Sequence, residues 1–200
     1  MRIGVLGGTF DPIHLAHVII AEEARERLEL EEVVFIPTGQ PWMKADKHVT
    51  PAHHRLNMAR LATASNPYFR VSFMEVEREG PSYTVDTLEA LRCEFGEVVE
   101  LYFILGVDSL REFHRWKEPE KVLSLASLVV ASRSGFDGGV ISSFGERFSG
   151  VAESMVVLEG VQVEISAQDL RCRAASGESL RYRLCDEVAR YIVEHGLYAG

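Results

Sequence analysis

Positive charge is what this 200-residue chain is short of: 21 lysines and arginines stand against 30 aspartates and glutamates, a formal net charge of −9. Non-specific binding to nucleic acid or to an anionic membrane needs a basic face, so neither partner is expected. Cysteine is scarce too. Cys93, Cys172 and Cys185 form no metal-ligand spacing, and an odd trio suits reduced thiols better than a disulfide framework. No apolar run approaches the length of a membrane span. Met1-Arg2-Ile3 leads directly into an apolar stretch without the layout of a secretion signal, so a cytoplasmic location is expected. Internal repeats and long polar linkers are missing as well. With 46% hydrophobic content, one domain over residues 1–200 is expected, its C-terminal helical part starting at about 166.

What the chain does have is alternation. Apolar runs at Ile3–Leu6, Val33–Ile36, Leu101–Leu105, Leu128–Ala131 and Met155–Leu158 read as strands, with Phe69, Val71 and Phe73 alternating as another. Helical spacing separates them. It covers Leu15 to Leu28, Pro51 to about Ala64, a helix capped by Thr84, Asp108 to Phe113, and Pro119 to Leu123. Further helices start at about Ser166 and end at Gly196 as C-cap. Ser134 to Gly150 is rich in glycine and reads as a surface loop, although Ile141, Phe144 and Phe148 would support a short helix. Such alternation predicts an α/β protein with a doubly wound parallel sheet and helices on both faces. The carboxyl ends of the strands then share one edge, where ligands bind.

One stretch at that edge carries chemistry: Gly7-Gly8-Thr9-Phe10-Asp11-Pro12-Ile13-His14-Leu15-Ala16-His17. Two glycines leaving a strand permit a sharp bend and close approach of a ligand. Asp11 then Pro12 predicts a helix start, a capping carboxylate followed by proline at the first helical position. His14 and His17 share a face beside the positive end of that helix, a seat for an anion. The stretch has neither the Gly-Lys-Ser/Thr ending of a Walker loop nor the Gly-x-Gly-x-x-Gly of a dinucleotide fingerprint. Two histidines alone do not complete a tetrahedral zinc set.

Gly8, Phe10, Pro12, His14 and His17 resemble the Gly-x-Phe-x-Pro-x-His-x-x-His signature of a nucleotidyltransferase superfamily. Further segments narrow the resemblance to the bacterial nicotinate-nucleotide adenylyltransferase family. They are Pro37 with Lys44, Arg78 through Thr87, Phe103 through Asp108, Trp116, Ile165 through Arg171, and Tyr191 through Tyr198. The resemblance covers nearly the whole chain. It implies a Rossmann-like fold and transfer of AMP from ATP to nicotinate mononucleotide, giving nicotinate adenine dinucleotide and pyrophosphate. Mg²⁺ would ride mainly on phosphate oxygens and water. A 5′-phosphate has a second pKa of about 6 and is already largely dianionic, so positioning and charge cancellation suffice without a side-chain base.

By the same resemblance, His14 and His17 would meet the ATP phosphates, Arg171 would hold the β- and γ-phosphates, and Lys44 would reach a phosphate from its loop. Gly7, Gly8, Thr9 and Phe10 would form a backbone cradle, with Gly106, Asp108 and Ser166 completing the ATP side. Trp116 would stack on the pyridine ring, and amides around Thr84 would meet the nicotinate carboxylate. Arg133 and Asp108 are further mononucleotide candidates. A homo-oligomer is compatible with the pattern. Departures from the family are Gln168 for the usual threonine, Val107 for alanine, Met43 for histidine, and Lys117 for an aromatic. Two rival readings stay open: another phosphomonoester acceptor such as nicotinamide mononucleotide, and a sensor that binds nucleotide without turnover.

Overall fold

The apolar runs pair with one another, as strands buried on both faces must. A computed structural model describes residues 1–44, 48–96, 98–131, 138–148, 155–159 and 163–199. The strands are β1 (Arg2–Gly8), β2 (Glu32–Pro37), β3 (Phe69–Val71), β4 (Glu100–Gly106), β5 (Ser127–Ala131) and β6 (Val156–Leu158). All pair in parallel, in the order β3-β2-β1-β4-β5-β6. The order reverses between β1 and β4, as in a Rossmann-like, doubly wound sheet.

The described helices are α1 (Leu15–Arg27), α2 (Ala52–Thr63), α3 (Thr84–Phe95), α4 (Val107–Glu112), α5 (Pro119–Leu125), α6 (Gly138–Arg147), α7 (Ala167–Ala175) and α8 (Asp186–Glu194). Alternating side chains of the sheet divide the core in two. Ile3, Val5, Val34 and Ile36 meet Val85, Leu88 and Leu91 of α3, Val122 of α5 and Phe144 of α6. On the other face Val33, Phe35 and Ile104 meet Ala21 and Ala24 of α1, Met58 and Ala59 of α2, and Val188 and Ile192 of α8. Among the described residues no helix is long and apolar enough to cross a membrane.

Several local expectations shift. Phe73 lies beyond β3 and is exposed, because this edge strand stops pairing at Val71. The glycine-rich stretch contains α6; its Phe144, and Phe148 just after it, are buried against Phe113, and aromatic burial outweighs the glycines there. Thr84 is the first residue of α3 and Tyr83 its N-cap. His195 is the C-cap of α8, and Gly196, with φ of +58°, follows it in the left-handed conformation that suits glycine.

Candidate active site

The loop between β1 and α1 bends at Phe10, not at the glycines. Phe10 takes the left-handed φ of +49°, and its ring is buried edge-on against His17 (5.1 Å) and near Phe35 (6.1 Å). Gly8 is required for a different reason than expected: a Cβ there would come within 2.9 Å of the Phe10 ring. The ring therefore supports His17 from behind, while Gly7, Gly8 and Thr9 line the cavity in front.

Asp11 and Pro12 do not start the helix. Their peptide bond is cis, and α1 begins at Leu15 with His14 as N-cap. Nδ1 of His17 accepts the His14 backbone N–H at 3.2 Å, an arrangement in which the third helical residue caps the first turn. The two imidazoles stack at 3.8 Å and both face the cavity. The Leu15 N–H donates to the Arg183 carbonyl at 3.0 Å and that of His17 to His14 at 2.9 Å. An anion at this helix end would thus meet imidazole rings more than main-chain donors.

Asp11 is buried instead. Its carboxylate accepts the Tyr198 hydroxyl at 2.7 Å and the Thr50 N–H at 3.3 Å, and its carbonyl accepts Nη1 of Arg171 at 2.7 Å. Burial, reinforced by the bond to Asp11, pushes the Tyr198 hydroxyl above its ordinary range. Arg171 reaches the histidine loop from α7, though neither it nor Ser166, the exposed N-cap of α7, lines the cavity.

Two buried charged residues were not singled out by sequence. Arg55, only 1% exposed, donates to the carbonyls of Thr50 (2.7 Å), Thr9 (2.8 Å) and Gly39 (3.0 Å). Burial lowers its pKa, with the charge of Asp11 acting in the opposite direction. A local signal existed: Arg55 stands three and four residues before Met58 and Ala59, on the apolar stripe of α2. Glu75 accepts the Thr87 hydroxyl at 2.6 Å, and Thr87 in turn accepts from Arg78 at 3.0 Å. Burial raises the Glu75 pKa against the pull of bonds from Thr87 and Ser82. Its sequence signal was a carboxylate between Met74 and Val76.

The other side of the cavity is built by joining two loops. The Ser82 hydroxyl accepts the N–H groups of Gly39 (3.2 Å) and Gln40 (3.3 Å), and the Ser82 N–H donates to the Gln40 carbonyl (3.0 Å). A Cβ on Gly39 would overlap the Glu75 carbonyl, so this close approach requires glycine. The joined segment presents the start of α3, with Thr84, to the cavity. Half-buried Trp116 also lines the cavity, packed on Phe113 (4.8 Å) and edge-on to Phe103 (5.7 Å). Lys117 turns away from the ring pocket, pairing with Asp86 at 2.9 Å and lying 4.9 Å from the centre of the Tyr83 ring.

The cavity encloses about 390 Å³ at the carboxyl ends of β1 and β4. Gly7, Gly8, Thr9, His14, His17, Thr84, Gly106, Asp108 and Trp116 are brought together around it. Lys44 ends a single 3₁₀ turn, Trp42–Lys44, whose first two residues line the cavity. Arg133 lies outside the described residues. No group of three or more His, Cys, Asp or Glu suited to a metal ion occurs among the described residues. A lining with two histidines and the carboxylate of Asp108, which pairs with Arg111 at 3.2 Å, fits a Mg²⁺ that would arrive on a triphosphate and keep its water, rather than one held in a protein cage.

A parallel sheet with a histidine-lined cavity at its point of reversal is the build of a nucleotide-binding α/β protein. The cytidylyltransferase-like family model matches residues 5–173. A Dehalococcoides mccartyi protein named "Probable nicotinate-nucleotide adenylyltransferase" is 44% identical over 198 residues, covering 99% of this chain and 97% of its own. A Roseiflexus protein of the same name is 47% identical over 196 residues, covering 98% and 97%. Among solved structures, Plasmodium falciparum nicotinic acid mononucleotide adenylyltransferase complexed with NaAD superposes with a TM-score of 0.80. It is 20% identical, with 98% of this chain and 97% of that one covered, and so shares the fold. The chain belongs to the nicotinate-nucleotide adenylyltransferase family, within the cytidylyltransferase-like proteins.

Proposed function

We propose that this chain, working as one domain over residues 1–200, transfers AMP from ATP to nicotinate mononucleotide, giving nicotinate adenine dinucleotide and pyrophosphate. The observation that carries the reading is a single cavity holding two different seats. A stacked histidine pair lines it, and so do a helix start at Thr84 and the indole of Trp116. Its volume of about 390 Å³ is in the range of small-molecule sites.

The triphosphate lies over Gly7, Gly8, Thr9 and the loop closed by Phe10, against His14 and His17, with His17 nearest the α-phosphate. Arg171, anchored on the Asp11 carbonyl, is the cation for the outer phosphates, with Ser166 opening its helix. Gly106 and Asp108 take the riboses. The mononucleotide places its ring on Trp116 and its carboxylate at the start of α3 beside Thr84, where helix amides favour an anion. Lys44 is assigned to its phosphate side on the family resemblance, and Arg133 on its position in the sequence after the fifth strand. The mononucleotide phosphate, already dianionic, attacks the α-phosphorus in line as pyrophosphate leaves, so the protein's part is alignment and charge cancellation. Mg²⁺, when bound to the triphosphate, supplies neutralisation of its charge.

A cytoplasmic location and independence from nucleic acid belong to the same proposal, supported by the small-molecule reaction and the net charge of −9. The test is pyrophosphate release from MgATP with nicotinate mononucleotide, nicotinamide mononucleotide and a simple phosphomonoester offered in parallel. Fastest release with the nicotinate form supports the reading. ATP binding without release from any acceptor refutes it and points to a sensor.

A further inference from the structure

We propose that Arg55 is a positioning residue, whose single buried guanidinium sets the separation between the loop that carries the triphosphate and the loop that faces the mononucleotide. The inference rests on the reaction assigned above and adds to it a residue that touches neither substrate.

Three carbonyls from three segments converge on this side chain. Nη1 holds Thr9, in the loop that leads to His14 and His17. Nη2 holds Gly39, between the cavity-lining residues Thr38 and Pro41. Nε holds Thr50, whose own N–H bonds the buried carboxylate of Asp11. The guanidinium is planar and rigid, so these oxygens are held at spacings set by covalent geometry, which no flexible ammonium reproduces.

The chemistry of the environment argues for geometry over stability. Among the described residues no carboxylate lies within ion-pair distance of Arg55; Asp11 and Glu75 act on it only from further away. A buried charge without a direct counterion is costly, and it is held here by the three carbonyls it joins. What an apolar side chain lacks is the three-way fork. Near the sheet the two loops are already linked by the Thr38 N–H to the Gly8 carbonyl (2.9 Å), and Arg55 extends that link outward to Thr9 and Gly39. A displacement of about 1 Å between reacting groups lowers rate by roughly 10²-fold, so loop spacing is a direct control on in-line attack.

The experiment compares the parent with Arg55→Lys, which keeps the charge, and Arg55→Met, which keeps the bulk. Rates are measured well below each variant's own Tm, with both substrates saturating. The expected result is a fall in kcat on the order of 100-fold in both variants, with KM values changing much less. In Arg55→Ala, millimolar guanidinium should restore part of kcat where equal sodium chloride does not. Arg55→Lys with kcat within twofold of the parent and only a lower Tm would overturn the proposal. If Arg55→Met does not fold, Arg55→Lys alone decides. Should the parent show no turnover, the reaction assignment fails separately. The spacing role is then judged by amide hydrogen exchange in the loops around Thr9 and Gly39, and unchanged protection of both in Arg55→Lys overturns it.

Discussion

The Tyr198 hydroxyl donates to the Asp11 carboxylate at 2.7 Å, joining residues 187 positions apart. One end of that bond stands three residues before His14, and the other follows α8. The segment that follows the last helix therefore holds the histidine loop in place. Asp11 is what makes this possible: one carboxylate oxygen faces Tyr198, the other faces Thr50, and the carbonyl of the same residue takes Arg171.

Tyr198→Phe removes that donor and leaves a buried carboxylate with less support. Hydrogen bonds to charged groups contribute about 1.5–3 kcal/mol, so a loss of roughly 2 kcal/mol in denaturant unfolding is expected. Turnover should fall several-fold as the histidine loop loosens. An unchanged unfolding midpoint would show that the bond contributes nothing.

His17→Ala removes an imidazole from the cavity and the acceptor of the His14 N–H together. Loss of one charge-stabilising group at a reacting centre lowers kcat by about 10²–10³-fold, and that range is expected here. Mononucleotide affinity should change little, because the proposed seats for it are Thr84 and Trp116 and not the imidazoles. Steady-state kinetics with each substrate varied in turn separate the two effects, and equal kcat in mutant and parent contradicts the role.

Trp116→Ala should raise the mononucleotide KM roughly tenfold and leave that of ATP almost unchanged, in line with an aromatic pair contributing about 0.5–1.5 kcal/mol beyond its buried area. Trp116→Phe should recover most of the loss. A parallel rise in both KM values would mean that the indole, packed on Phe113 and Phe103, acts through the core instead.

Gly39→Ala tests the junction of the two loops. The added Cβ overlaps the Glu75 carbonyl, so either the Gly39 loop or the Glu75 segment must move. Stability should drop by about 1–3 kcal/mol, the range for overpacking, and the mononucleotide KM should rise as the bonds to Ser82 stretch. Alanine tolerated in both respects would show that the junction yields freely.

His54 supplies a pH dependence away from the site. Burial lowers its pKa from 6.5, and the neighbouring His53 and His195 lower it further, while its Nδ1 lies 2.9 Å from the Tyr191 hydroxyl. Below the unfolded value the unfolded chain binds more protons at this residue than the native one, so stability is lost as the medium is acidified below 6.5. His54→Gln should flatten the fall between neutral pH and pH of about 5 in a series of unfolding curves. An equally steep slope in the variant assigns the acid sensitivity elsewhere.

Most of the sheet was legible because a strand buried on both faces must be written as a continuous apolar run, and Val33–Ile36 and Leu101–Leu105 are. The histidine pair was legible because its spacing is local. Asp11 was misread for the same reason: Asp-Pro before a helix has a local meaning, and the tertiary bonds to Tyr198 and Thr50 overrode it. Thr84 was misplaced by one position, since N-cap and first-turn residues draw on the same side chains.

By itself, then, the order of amino acids determined the alternation of strands and helices, the sheet edge at which the cavity opens and the pair of imidazoles placed there. Each of those depends on neighbours within a few residues. Only the tertiary structure decided that Arg55 and Glu75 are buried, that Phe10 supports His17, and that Ser82 closes on Gly39. A charged side chain becomes an internal strut only when carbonyls or hydroxyls from distant segments satisfy its hydrogen bonds, and those partners exist only once the chain has folded.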